Sequence, residues 1–520
     1  MVKAFAPRRS RGGSRAWLAM LTGVAWPMVL LAQPGRPAAR PKGDDTPPAA
    51  STATTPAEDA PRPAAAGTAT PAVPKAEIPA PKGSTPAVPR AGAPAAKGEA
   101  ARAPEAPQDD IVKPGGDVHR DERAELVIQN MKDYKPIKSG NAPPARNQVE
   151  QWAQGAGIVD KNKLDYYVRT LAAAMTSQKV LDGLGAKKPA NADAAVKANE
   201  DALKAIERAF DDLIAPVTIA ARRTPPSKEF LHDYAESLLK VMPELLANHL
   251  IARIEGMIVL SRTGDDKAIG TYVAQLRDPN QVIMVKILAA DGLSNVVRIR
   301  RQVDARASLD AAIALNSFLN VEKDAIWWAH FRALEALGWL RQPATNPVTG
   351  KYDMVDTAAA FLADPKKRPE VRSWAAWAVG MMLVRDPSAR INYTKIAGDL
   401  GKLAAELGDR ILAVRSIEQE DQAHELIGLL AVPLYNAVKG EPDQSRSGLI
   451  NNAALGPTAT PFVKGLEPLL KAEAAAAVLL GQAAGAQLHN VRHDDLEARV
   501  KAIRDYLAKN PQQVVAGGGR

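Results

Sequence analysis

Leu276-Arg277-Asp278-Pro279 returns, 86 residues later, as Leu362-Ala363-Asp364-Pro365. Six positions after each proline stands an aliphatic residue followed by a base, Val285-Lys286 and Val371-Arg372. From there the register holds. Val285, Ala289, Ala290 and Leu293 match Val371, Ala375, Ala376 and Val379, both sets at i, i+4, i+5 and i+8. That spacing puts each set on one face of a helix, and the alanine pair lets a neighbouring helix come close. The residue before a proline avoids the α region, so Asp-Pro ends one helix and the chain turns into the next. A third copy lies between the two. Phe318-Leu319 precedes Phe361-Leu362 by 43 residues, and Ala333-Leu334-Glu335-Ala336-Leu337-Gly338 matches Ala375-Ala376-Trp377-Ala378-Val379-Gly380 at a spacing of 42. In this copy Asn320-Val321 replaces Asp-Pro and His330 takes the basic position. A period of 42–44 residues with two helices per unit predicts a repeat architecture.

These motifs resemble the HEAT repeat family of the bacterial type, whose second helix often reads V-R-x-x-A-A-x-A-L-G after an L-x-D-P turn. Residues 371–380 carry the best match, and the resemblance covers about 268–384. It implies an α-solenoid of stacked helix pairs that offers a face to a partner protein. It implies no reaction. The fold class expected is all-α, with repeats over 266–385 and irregular helical flanks over 117–265 and 386–510. In the flanks, 3.6-residue periodicity predicts helices over Asp121–Asp133, Leu164–Asp182, Asp193–Arg222, Lys228–Val241 and Pro243–Leu260, with Pro216 breaking or kinking the third. Further helices are predicted over Ile391–Leu407, Ile411–Val438, Phe462–Gln482 and Asp494–Lys509. A loop of about 22 residues is expected over 440–461.

Composition bounds the rest. The chain has 520 residues and no cysteine, which excludes disulfides, thiolate metal sites, a cysteine nucleophile and a lipoprotein anchor. The formal charge of +9 is concentrated at the start, where Lys3, Arg8, Arg9, Arg11 and Arg15 stand without an acid among them. The remainder carries 62 basic against 58 acidic groups, too even for an electrostatic case for nucleic acid. Residues 1–32 read as an export signal: a basic stretch, an apolar run from Trp17 to Ala32, and a small residue before a polar sequence. The run is short for a bilayer span, and an uncleaved inner-membrane anchor is the alternative reading. Residues 33–116 read as a disordered Pro/Ala-rich linker. Within 33–110 there are 17 prolines, 23 alanines and no aromatic residue, too little apolar surface to offset ordering entropy. A disordered tail is expected over 511–520, and the location expected is periplasmic or extracellular.

Five of the eight tryptophans, Trp327, Trp328, Trp339, Trp374 and Trp377, fall between 327 and 377. Large aromatics fill gaps between helices, and where exposed they anchor interfaces. With Arg332, Arg341 and Arg372 nearby to pair with carboxylates, they form the candidate protein-binding set. The basic runs Arg298–Arg301 and Lys366–Arg368 read as solvated loops. His489, His493 and Asp494 have spacing that could hold a divalent metal, although no H-E-x-x-H motif is present. His424-Glu425 is a single His-Glu pair, whereas the HEAT-repeat deoxyhypusine hydroxylases hold iron with several, so it reads as solvated beside Glu418, Glu420 and Asp421. Nucleophile-elbow, Walker A and dinucleotide-binding strings are absent, and no cofactor is expected. The function expected is that of an exported, non-enzymatic helical scaffold or adaptor binding a protein partner. The alternatives are a metal-dependent hydrolase with its site near the 440–461 loop, and an anchored structural protein of the envelope touching the membrane only through its N-terminus.

Overall fold

The computed structural model describes residues 121–139, 143–185, 192–300, 303–345, 351–389, 391–414, 419–441, 447–484 and 493–511. The expected export signal, the linker and the tail beyond 511 lie outside these residues. The chain divides into two units, 1–105 and 106–520, and every described residue belongs to the second. Among the described residues the secondary structure is helical throughout, without a strand, so the all-α expectation holds. No helix among them is long and apolar enough to cross a membrane.

The repeated segments fold as three helix pairs: α8 (Ile269–Arg277) with α9 (Ile283–Arg300), α10 (Ala305–Val321) with α11 (Trp327–Leu340), and α12 (Asp353–Ala363) with α13 (Pro369–Met381), numbered in chain order after α1–α7 below. Both Asp-Pro turns work as the sequence implies. Asp278 and Asp364 take extended backbone at the ends of α8 and α12, and each carboxylate accepts the amide two residues on, from Asn280 at 2.8 Å and Lys366 at 2.9 Å. The residues in register, Val285, Ala289, Ala290 and Leu293 with Val371, Ala375, Ala376 and Val379, are all buried. First helices pack on first helices, α10 against α8 and α12. Second helices pack on second helices, α9 between α7 (Leu250–Thr263) and α11, and α11 between α9 and α13.

The repeated basic position supplies a brace between pairs. Lys286 donates to Glu322 Oε1 at 2.8 Å, at the end of α10. Arg372 Nη1 donates to Glu406 Oε2 at 2.6 Å, on α14 (Tyr393–Leu412). In the middle copy His330 Nε2 donates instead to the Glu322 carbonyl at 2.8 Å. Arg123 joins the same carboxylate at 2.6 Å from α1 (Glu122–Gln129). Burial alone would raise Glu322, yet the hydrogen bonds and charges of Arg123 and Lys286 hold it below the ordinary carboxylate range. Two glycines set the approach of second helices. A methyl group on Gly338 would run into the Trp377 ring, and one on Gly380 into the backbone of Ala437.

The flanks depart from expectation where a breaker meets a compensating partner. The segment Leu164–Asp182 is two helices, α3 (Lys161–Met175) and α4 (Gln178–Leu184), because Ser177 caps a new start by accepting Val180 N. Helix α2 (Arg146–Ala153) precedes them. Of the expected break or kink at Pro216, no break occurs: α5 (Ala192–Arg222) runs through it. Proline removes the amide that would bond the Asp212 carbonyl and disturbs the next bond. The hydroxyls of Tyr167 and Tyr234 donate to the Asp212 and Leu213 carbonyls, each at 2.7 Å. The next boundary falls at 247–249 rather than at Pro243, giving α6 (Lys228–Leu246) and then α7. His249 sets that start: its Nδ1 accepts Ala252 N at 3.2 Å while Nε2 donates to the Met175 carbonyl at 3.1 Å.

After the repeats, α14 runs on through Gly408, which serves close approach to Val500 rather than termination. Helix α15 (Glu420–Leu429) passes through a π-turn at Pro433 into α16 (Tyr435–Lys439). Helix α17 (Gly456–Ala484) starts earlier than predicted, with Pro457 in its first turn, where a missing N–H costs nothing. The expected loop is thereby shortened. Its described end, 447–455, forms two 3-10 turns and ties back to α13 through Gly448 N to Gly380 O at 2.8 Å. Helix α18 (Asp494–Lys509) packs on α14 and α17.

Candidate partner-binding face

On α11, Trp328, Arg332, Glu335 and Trp339 stand at i, i+4, i+7 and i+11, one stripe of a helix. Asp291, Asn295 and Arg298 follow the same rule on α9, and Trp374 and Trp377 sit on α13. The aromatic rings from α11 and α13 form a continuous row. Trp328 meets Trp327 at 5.7 Å, Trp327 meets Phe331 at 6.2 Å, and Phe331 meets Trp374 at 5.5 Å. Trp374 then meets Trp377 at 5.0 Å, and Trp377 meets Trp339 at 5.2 Å. All these contacts are edge-on, the geometry in which the positive ring edge meets a negative face, each worth about 0.5–1.5 kcal/mol beyond the area it buries.

Four of the five tryptophans and Phe331 are half-buried, and none is fully exposed. Trp377 is 1% exposed and serves the core, with its indole N–H donating to Glu441 Oε1 at 3.0 Å. The predicted interface set therefore divides. Trp327, Trp328, Trp339 and Trp374 reach the surface, and Trp377 does not.

The arginines divide as well. Arg372 is buried and spent on the Glu406 carboxylate and the Leu362 carbonyl at 3.1 Å, so it braces helix pairs instead of facing a partner. Arg332 bonds Glu335 Oε2 at 2.7 Å and lies 3.7 Å from Asp291. Burial opposes its charge, but those two acids outweigh burial and hold Arg332 above its ordinary value. Burial also pushes the Glu335 carboxyl up, and Arg332 offsets that only in part. Arg341 is different. It ends α11 with φ +54°, the sole non-glycine residue with positive φ among the described residues, a conformation costing about 1 kcal/mol or more. Burial pushes its pKa down, opposed by the charge of Glu441, and its Nε has no acceptor. The turn is fixed: Ser308 Oγ donates to Leu340 O at 3.4 Å and accepts Gln342 Nε2 at 3.2 Å.

Both basic runs read as solvated loops contribute to this region. Arg298 belongs to the last turn of α9 and its guanidinium carbon lies 5.9 Å from the Trp339 ring centre. Arg368 lies over Trp327 at 4.4 Å, and Lys367 over Phe361 at 5.2 Å. Lys366 remains exposed. Arg298 was findable from its place seven residues after Asp291 on a second helix. Its ring partner, 41 residues away on another helix, was not.

Of the metal candidates, His489 lies outside the described residues. His493 flanks the start of α18, with Asp494 exposed in its first turn. Among the described residues, the ligand atoms that converge within 4.8 Å belong instead to His232, Asp265 and Asp266. Asp265 is fully buried, already accepts from His232 Nδ1 at 3.0 Å and Lys267 N at 3.0 Å, and forms an ion pair with the Arg300 guanidinium. A cationic side chain thus fills the place a metal would take. His424 is solvated as expected, but Glu420 beside it is buried. No protein-family model matches this sequence, and no curated protein or solved structure matches it either.

Proposed function

We propose that this protein is an exported α-solenoid adaptor of the HEAT-like kind, binding a protein partner on the face carried by α9, α11 and α13. The observation that carries the reading is the row of edge-on rings that crosses from one second helix to the next at Phe331 and Trp374, with every ring but Trp377 partly open to solvent. Half-buried tryptophans, held rigid by their neighbours, lose little entropy when a partner covers them. Support for the solenoid comes from like-on-like packing of first and second helices and from the repeated brace at Lys286 and Arg372. Support for export comes from the basic stretch, apolar run and small residue of 1–32.

A photo-crosslinking residue placed at Trp328 or Trp374 tests the reading in cells. A discrete adduct is expected at both positions and none at exposed Leu203 on α5. Absence of an adduct from both face positions would remove the adaptor reading. An intact mass that retains residues 1–32 would favour the anchored form over cleavage.

A further inference from the structure

We propose that the Trp339 end of the aromatic row takes an acidic segment of the protein partner, with Arg298, beside that ring, and Arg341, at the end of the same helix, pairing its carboxylates. This rests on the adaptor reading and adds the chemistry of what is bound.

Three observations meet at this one place. First, the acids of the face are already engaged. Glu335 accepts from Arg332, Asp291 lies beside Arg332 and accepts Asn295 Nδ2 at 3.2 Å, and Glu441 accepts Trp377 Nε1 and, at 3.3 Å, Asn436 Nδ2. Second, two arginines of the face have no acid within ion-pair distance among the described residues. Arg298 is exposed beside the Trp339 ring, and Arg341 stands two residues after Trp339 in a turn that Ser308 and Gln342 hold in place. Third, Trp339 and Arg341 are both partly open to solvent, while Trp339 Nε1 and Arg341 Nε are themselves closed off from it and have no acceptor among the described residues. Two cations without an acid, beside a ring that is partly open to solvent, favour a ligand that brings negative charge, and guanidinium groups suit carboxylates in particular. The left-handed backbone at Arg341 agrees, because glycine would hold this turn without strain.

The test uses the purified full chain and an acetylated, amidated hexaglutamate peptide, with hexaglutamine as its neutral counterpart. Calorimetry is expected to detect hexaglutamate binding, weakening as KCl is raised, and at least about tenfold weaker binding of hexaglutamine. Arg341→Gln, at the partly buried cation, should weaken binding about tenfold, and Arg298→Gln, at the exposed one, about threefold. Arg341→Gly separates function from folding: its melting temperature should not fall, while hexaglutamate binding weakens about tenfold, as in Arg341→Gln. Equal affinity for the two peptides, or unchanged affinity in both arginine variants, would overturn the proposal. That failure leaves crosslinks at Trp328 and Trp374 untouched, whereas loss of those crosslinks with hexaglutamate binding intact would sink the adaptor reading alone.

Discussion

Glu473 on α17 is fully buried, with Gly408 of α14 and Val500 of α18 closing around it, and neither carboxylate oxygen has a donor among the described residues. A lone charge there would cost far more than a neutral acid, and burial pushes the carboxyl up to about 8. The folded value exceeds the ordinary 4.5, so the native state holds a proton that the unfolded chain releases. Its stabilising contribution is therefore complete below about pH 4.5 and is withdrawn as pH rises to about 8, on the order of 5 kcal/mol across that window. His249 acts in the opposite sense, because burial lowers its pKa and acid favours the unfolded chain. The comparison that isolates Glu473 is thus wild type against Glu473→Gln, whose amide copies the protonated acid in size. The melting temperature of the wild type should fall between pH 5 and pH 8.5 more steeply than that of the variant. Parallel curves would mean that the carboxyl finds a partner or water on ionisation.

At the scale of elements, boundaries that follow local chemistry were readable, and boundaries that tertiary partners overrule were not. Asp278-Pro279 and Asp364-Pro365 end helices because backbone sterics and an aspartate side chain act within a few residues. Pro216 does not end α5, because Tyr167 and Tyr234 arrive from elsewhere in the sequence to satisfy the carbonyls it orphans. The predicted helix end at Leu407 is likewise overruled, because α14 runs on through Gly408, where Val500 of α18 needs the missing side chain. The proline compensation can be measured. Tyr167→Phe should cost about 1 kcal/mol, since it leaves the Asp212 carbonyl without a donor. In a Pro216→Ala background, residue 216 regains an amide that can reach that carbonyl, and the same substitution should cost markedly less. A double-mutant cycle by chemical denaturation should then give a coupling of roughly 0.5–1 kcal/mol. Zero coupling would mean that the hydroxyl and the proline act independently.

For the whole molecule, the period of 42–44 residues was legible because each pair solves one packing problem with the same residue types. What that packing places side by side was less so. Five tryptophans near one another in sequence mark a region, but which of them reaches solvent depends on how closely α13 approaches Gly338, a distance no spacing encodes. Arg372 matches Lys286 in the repeat, and its charge beside the tryptophans suggests a surface ligand, but burial on the repeat face makes both of them braces. The same packing yields a prediction about how damage spreads. If stability is held largely between neighbouring pairs, a defect at one seam weakens nearby seams and fades along the chain. Gly338→Ala places a methyl group against the Trp377 ring and should cost about 1–3 kcal/mol by overpacking. Amide exchange in this variant should accelerate in α9, α11 and α13 while remaining near wild type in α3, α4 and α6. A Trp377→Leu substitution in the same chain, which removes the clashing ring, should restore part of the lost protection around α11. Uniform acceleration across α3–α13 would instead describe a single cooperative core, and the linear-array reading would fall.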